Sequence, residues 1–230
     1  MLEKLKQIQH LPIFPLPIVL LPGMLVPLHI FEPRYRQMLR DCLDGYRLFG
    51  VTYHPDSTVG VLVVPLVGSI GCAAHIMSVV PLEDDRSNIL TAGVCRYKIL
   101  EYLRQDPYLV AHIEFFEDEP SHSDVPTDLV QSVTELFGRF LRAVRTLRDA
   151  PMARQALPEP LEQLSFTIAS AVLTEVEDQF EVLQMRSTEQ RFQYLENQLM
   201  NIIPELEERA SEHNAMKSNG HRKGGWRRNG

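Results

Sequence analysis

The chain has 230 residues, 44% hydrophobic and 23% charged, the balance of an ordinary globular protein long enough to bury a real core. Its net charge is −7, and Lys217, Arg222, Lys223, Arg227 and Arg228 place five cations and no acid in the last fourteen residues, leaving the rest at −12. So acidic a body argues against a nucleic-acid-binding face on the folded part, and no proline-free run of eighteen apolar residues points to a membrane span.

The first distinctive stretch is 11–36, almost wholly apolar yet broken by Pro12, Pro15, Pro17, Pro22, Pro27 and Pro33. Each proline removes a backbone donor and fixes φ, so the run predicts neither a helix nor a central strand but short edge-strand pieces separated by bends. Pro22-Gly23 is a turn signal, because glycine supplies the positive φ that follows proline in a type II turn. Glu32-Pro33 predicts a helix start, with proline where its missing N–H costs nothing.

From 48 to 117 the pattern is strand-like. Segments 48–53, 59–67, 73–80, 89–103 and 108–116 are rich in Val, Ile, Leu and Tyr and are separated by breakers at 54–57, 68–69, 83–88 and 105–107. Short strands at this spacing predict a sandwich or small barrel. His29, His75 and His112 fall in these runs and read as hydrogen-bonded structural histidines. Glu83, Asp84 and Asp85 read as a solvated hairpin tip. The polar, acidic segment 117–124 is the predicted domain boundary.

Beyond it the period changes to three and four. Leu129, Val133, Leu136 or Phe137, Phe140 or Leu141, Val144 and Leu147 recur every three to four residues and mark an amphipathic helix with Thr127-Asp128 as cap. Leu161, Leu164, Ile168 and Val172 mark a second helix, and Val176, Phe180 and Leu183 a short third. A fourth, opened by 187–190, carries Phe192, Leu195, Leu199 and Ile202, and Pro204 is expected to bend or restart it. The expected organisation is a β domain over 1–117, a linker over 118–126, a helical subdomain over 127–210 and a disordered basic tail over 211–230.

The segment LPIFPLPIVLLPGMLVPLHIFEPRYRQML resembles the opening of the substrate-binding N-terminal domain of the Lon protease family, with Pro-Gly and Phe-Glu-Pro-Arg-Tyr at that family's spacing. The resemblance continues through 71–76, through 92–99 with its Gly-x-x-Arg-Tyr pattern, and through 107–111, 164–169 and 190–195. It spans 9 to about 200. It implies an α+β fold, a PUA-like β pseudo-barrel followed by a C-terminal helical bundle, in a stand-alone member without ATPase or protease domains.

The motifs that are missing agree with a non-enzymatic reading. There is no Gly-x-x-x-x-Gly-Lys-Ser/Thr to cradle a phosphate, no Gly-x-Ser-x-Gly elbow, and no Cys/His cluster at metal-ligand spacing. Neither a cofactor nor a metal is expected. Cys42, Cys72 and Cys95, widely spaced in apolar surroundings, read as buried free thiols of a reducing cytoplasm, and the mixed-charge start over 1–10 is unlike a signal peptide.

The one constellation suited to binding is Phe31, Glu32, Arg34 and Tyr35, where donors and an amphipathic aromatic could flank a groove for a polypeptide. The same residues have a structural reading: Glu32 capping the helix, Arg34 paired with a carboxylate and Tyr35 packed inward. The function expected is a polypeptide-binding module acting in protein quality control or as an accessory to proteolysis. Its ligands would be unfolded or hydrophobic segments taken at a strand edge and a cleft, and its partner a separate ATP-dependent protease or chaperone. The alternative is an RNA-associated PUA-like protein that uses the basic residues Lys217, Arg222, Lys223, Arg227 and Arg228.

Overall fold

The computed structural model describes residues 5, 7–119, 125–151 and 156–221. They form two compact units, one of Met1–Pro120 with Pro158–Ser187 and the other of Ser121–Leu157 with Thr188–Gly230.

The first unit is built on six strands: β1 (His10–Leu16), β2 (Leu25–Ile30), β3 (Leu48–Tyr53), β4 (Ile70–Pro81), β5 (Ser87–Arg104) and β6 (Leu109–Phe116). They lie in the order β2-β5-β4-β3-β1-β6, and β5 also pairs with β6, so five strands close into a barrel with β2 added outside β5. Closure depends on the length of β5, whose first half pairs with β2 and whose second half pairs with β6. This is the pseudo-barrel that the resemblance implies.

Alternate residues of each strand point inward, as the period of two requires. Leu11 and Ile13 of β1, Cys95, Tyr97 and Ile99 of β5, and Leu109, Ala111 and Ile113 of β6 form one buried cluster with Leu48 and Ala73. Each large aliphatic among them contributes about 1.5–3 kcal/mol on leaving water. Tyr97 crosses this interior and meets the Thr52 hydroxyl at 2.6 Å. Gly50 and Gly71 make the room, since a Cβ on either would stand within 2.5 Å of the Tyr97 hydroxyl oxygen.

β1 departs from expectation, because it is paired on both sides despite Pro12 and Pro15. β6 takes 10–13 and β3 takes 13–16, so the two ladders share only Ile13. Each proline therefore lies where a single neighbour claims the backbone, and its missing N–H can face the unclaimed side. The turn at Pro22-Gly23 forms as read, with Gly23 at φ 81°. The first described helix, α1 (Pro33–Asp44), starts with proline at its first turn and buries Tyr35, Met38, Leu39 and Cys42.

The segment 59–67, expected as a strand, pairs with no strand and runs over the surface as an irregular strap. Its ends are fixed by backbone bonds instead: His54 N–H donates to the Leu16 carbonyl at 2.9 Å and Gly68 N–H to that of Ile99 at 2.8 Å.

Two short helices, α2 (Leu161–Val172) and α3 (Val176–Gln184), belong to the barrel unit rather than to a single helical subdomain over 127–210. The reason is Arg96, 1% exposed and among the largest fully buried side chains. Its guanidinium donates to the Leu183 carbonyl at 3.3 Å, the Met185 carbonyl, the Asp118 carboxylate and Glu162 Oε1 at 3.0 Å. It lies between the rings of Phe116 and Phe166, 4.8 and 5.1 Å from their centroids. One buried cation thus ties both helices to β5.

The second unit pairs α4 (Thr127–Leu147) with α5 (Thr188–His221). Val133, Phe137, Phe140 and Ala143 of α4 and Phe192, Leu195, Leu199 and Ile203 of α5 are buried at the spacing of one helical face. Thr127 is the first helical residue of α4 and Pro126 its cap, so Thr127-Asp128 does not cap it. Pro204 does not restart α5, which continues through it as one element. The carbonyl freed by its missing N–H is that of Met200, one turn earlier, a residue 52% exposed. The helix reaches His221, which makes 211–221 helical where a disordered tail was expected. Residues 222–230, with Arg222, Lys223, Arg227 and Arg228, lie outside the described residues. Among the described residues no helix is long and apolar enough to cross a membrane.

Candidate functional site

The four residues singled out in the sequence part company in the structure. Glu32 and Arg34 form an ion pair at 2.6 Å, each side chain less than a fifth exposed. The Glu32 side chain makes no helix-capping bond, although Glu32 is the N-cap residue of α1. Its carboxylate instead accepts from Arg34 and, at 3.3 Å, from the Gly60 N–H, while Arg34 donates to the Val61 carbonyl at 2.9 Å. The pair is a latch on the strap. Tyr35 is buried against Phe14, ring centroids 4.0 Å apart, and burial raises the pKa of its hydroxyl although Arg34 beside it opposes the shift. Phe31 alone is displayed, 39% exposed and stacked on His29 at 5.5 Å.

Phe31 ends a larger apolar surface. Where β2, β5 and β4 run side by side, Leu90 of β5 faces Pro27 on one side and Ser78 on the other, and Asn88 faces His29 and Val80. Residues in one cross-strand row share a face of the sheet. Leu25, Val80 and Leu90 on this face are exposed, Leu25 by 60%, and Met77, at the register shift of β4 between Ile76 and Ser78, is exposed too. His29 is fixed by Asn88 Oδ1 at 2.7 Å. The strap displays more aliphatics: Val59, Val61, Leu62, Val64, Leu66 and Val67 are exposed while its backbone is tied down through Gly60, Val61 and Pro65, the last accepting from Tyr102 at 2.8 Å. From 57 to 82 no Asp, Glu, Lys or Arg occurs.

A sheet face and a strap that both turn aliphatics to water, without charge, are unlike the scattered single exposures of an ordinary surface. A surface of this composition offers apolar contact rather than charge or hydrogen bonds. It holds no nucleophile with a base beside it. Sequence reasoning missed Leu25, Met77, Val80 and Leu90 because it took apolar strand positions as core. The available signal was Ile89-Leu90, where adjacent apolar residues must point to opposite faces, so one of them is displayed.

Lys217 of the alternative nucleic-acid set lies on α5 in an ion pair with Asp149, which also meets His213 at 2.9 Å. The other four cations of that set lie outside the described residues.

Comparison with known proteins bears on the family and the fold. The model of the ATP-dependent protease La (LON) substrate-binding domain matches residues 10–201. A Lon protease of Syntrophus aciditrophicus is 28% identical over 188 residues, covering 79% of this chain and 24% of the relative. A Lon protease of Clostridium acetobutylicum is 24% identical over 200 residues, covering 86% and 25%. The chain thus spans about a quarter of the length of the curated relatives it matches. Two solved structures share the fold. The Lon N-terminal domain protein of Xanthomonas campestris has a TM-score of 0.59 at 23% identity, over 82% of this chain and 97% of that one. The N-terminal domain of the Mycobacterium avium complex Lon protease has 0.57 at 15% identity, over 84% and 99%. The chain belongs to the family of Lon substrate-binding domains.

Proposed function

We propose that this chain is a recognition module for unfolded polypeptides, and that the outward face formed by Leu25, Met77, Val80 and Leu90, bounded by Phe31, takes up their exposed apolar segments. The observation that carries this reading is the face itself: aliphatics displayed together on three paired strands of a domain whose family is defined by substrate binding. Burial of apolar surface is the driving force, so affinity depends weakly on salt. Glu32, Arg34 and Tyr35 act at one remove, by fixing the strap and α1 beside Phe31. Delivery of the bound client to an ATP-dependent protease is the role that the relatives' activity supports.

The test is a titration of full-length protein with reduced, carboxymethylated α-lactalbumin at several salt concentrations, alongside single-stranded polyuridylate RNA. Leu90→Asp is expected to weaken client binding about tenfold or more, the cost of losing one buried leucine contact. Client affinity unchanged by Leu90→Asp and Leu25→Asp, in folded variants, would overturn this site. RNA binding that falls steeply with salt and vanishes on deletion of 222–230, with no client binding, would overturn the reading in favour of nucleic acid.

A further inference from the structure

β2 alone among the six strands pairs with a single neighbour. Its backbone direction follows from two contacts: Gly93 N–H donates to the Met24 carbonyl at 2.9 Å, and the Thr91 hydroxyl donates to the Val26 carbonyl at 2.8 Å. Successive residues of a strand turn their main-chain groups to alternate sides. Met24, Val26, Leu28 and Ile30 therefore face β5, and Leu25, Pro27 and His29 face away from it. No turn, loop or side-chain hydrogen bond among the described residues engages the main-chain groups of those three. The open side of β2 accordingly offers the N–H groups of Leu25 and His29 and the carbonyls of Leu25, Pro27 and His29. Pro27 sits where its missing donor faces the open edge, the position in which a sheet tolerates proline.

On the reading that the outward face binds clients, we propose how it does so: an extended client segment joins β2 as a further antiparallel strand. Main-chain bonds to Leu25, Pro27 and His29 would supply sequence-independent affinity, as in other cases of strand addition. The client residues opposite these three carry their side chains on the outward face, because directly opposed residues share a face. They extend the apolar surface of Leu25 and Leu90 by one strand. The recognised class is thus an extended stretch with aliphatics at every second position, not an amphipathic helix. The client residue opposite Pro27 donates its N–H but finds no donor for its carbonyl. The other edge of this sheet is a poorer template: beyond Ile76, whose N–H and carbonyl are taken by Arg47, β4 ends at Pro81.

The experiment uses the full chain and the capped probe peptide Lys-Leu-Thr-Val-Thr-Leu-Lys. Binding is expected to slow amide exchange at Leu25 and His29 and to leave Val26 and Leu28 unchanged. N-methylation at the Leu, Val and Leu positions of the probe should weaken binding about tenfold, and at the two Thr positions about twofold or less, since only the first set points N–H groups at β2. Pro27→Val restores a donor and should tighten binding about three- to tenfold. If the probe binds and Leu90→Asp weakens it, yet the N-methyl scan shows no alternation and Pro27→Val has no effect, strand addition is overturned and the client-binding face stands. A probe that Leu90→Asp does not affect, or one that fails to bind alongside an unfolded client that also fails, overturns both. Equal affinity for a peptide of the same composition with its aliphatics at helical spacing overturns the strand.

Discussion

Replacing Arg96 by methionine is the sharpest test of what holds the barrel unit together. The guanidinium is fully buried and has four acceptors, two of them the carbonyls of Leu183 and Met185 and two the carboxylates of Asp118 and Glu162. Methionine keeps the apolar stem between Phe116 and Phe166 but takes the guanidinium away from the Asp118 carboxylate, whose side chain is only 10% exposed. Breaking a buried pair from one side costs about 3–5 kcal/mol, because the remaining buried charge loses the partner that offset its desolvation. Glu162 is a third exposed and recovers water, so it adds little.

Urea unfolding of the full chain, followed by circular dichroism, gives the magnitude. Adding Asp118→Leu to Arg96→Met removes the second charge of the pair and should recover at least about half of the loss, the behaviour of buried pairs replaced by apolar groups. Native-state hydrogen exchange gives the location: α2 and α3 should lose protection while the buried strand residues of β5 and β6 keep theirs. A loss under about 1 kcal/mol, or protection lost evenly over the whole unit, would refute the assignment of Arg96 as the tie between these helices and β5.

Four further outcomes follow from the same coordinates. Phe140→Ala should cost roughly 3–5 kcal/mol in the same assay, since Phe140 stacks on Phe137 within the buried face of α4; a loss under about 1 kcal/mol means that face is exposed. Arg34→Ala removes the bond to the Val61 carbonyl and should expose the strap, so elastase is expected to cleave within 59–67 faster than in the parent; equal rates mean the latch does not hold it. Cys42, Cys72 and Cys95 are buried, with burial pushing Cys42 up to about 12 and Cys72 also upward; native protein should resist a thiol reagent at pH 8 that labels all three in denaturant, and rapid native labelling would contradict this. Cys42 and Tyr108, each raised by burial to about 12 from ordinary values of 9.0 and 10.0, favour the protonated form in the fold, so stability is full below about pH 9 and declines towards pH 12; an alkaline limb flat over that window in urea midpoints would count against the burial of both groups.

Much of the fold was legible because period and punctuation are local properties. Gly23 takes the positive φ that Pro22-Gly23 called for, and α1 begins at Pro33. The helical stripes of 129–147 and 161–172 gave real helices. What failed to show depends on partners distant in sequence. The aliphatic run 59–67 has strand composition but no ladder to join, because β4 and β3 already flank one another and close the ring without it. Arg96 reads as one basic residue in an apolar strand, and only the fold brings Glu162 and Leu183 to it. The assignment of 161–184 to the barrel unit was hidden for that reason. At the candidate site, the alternation that places Ile89 inward also places Leu90 outward, so the displayed face was implicit but unread.

An apolar face beside an open strand edge invites self-association, and the placement of prolines bears on why this chain can carry one. Gly93 fixes Pro27 on the open side of β2, and Leu82 N–H donating to the Arg86 carbonyl at 2.8 Å fixes Pro81 on the open side of β4 by the same alternation. Each proline removes a donor where a second copy would need a continuous row of them. Two copies of β2 meeting antiparallel would oppose one Pro27 to the other, or set it against a residue whose carbonyl then goes unpaired. A client strand contributes every one of its own N–H groups and loses only one bond at Pro27. The defect therefore weighs more heavily on β2-to-β2 pairing than on β2-to-client pairing. That difference supports an edge kept open for clients yet poor as a template for its own kind, and it is the same proline whose repair, in Pro27→Val, should strengthen both.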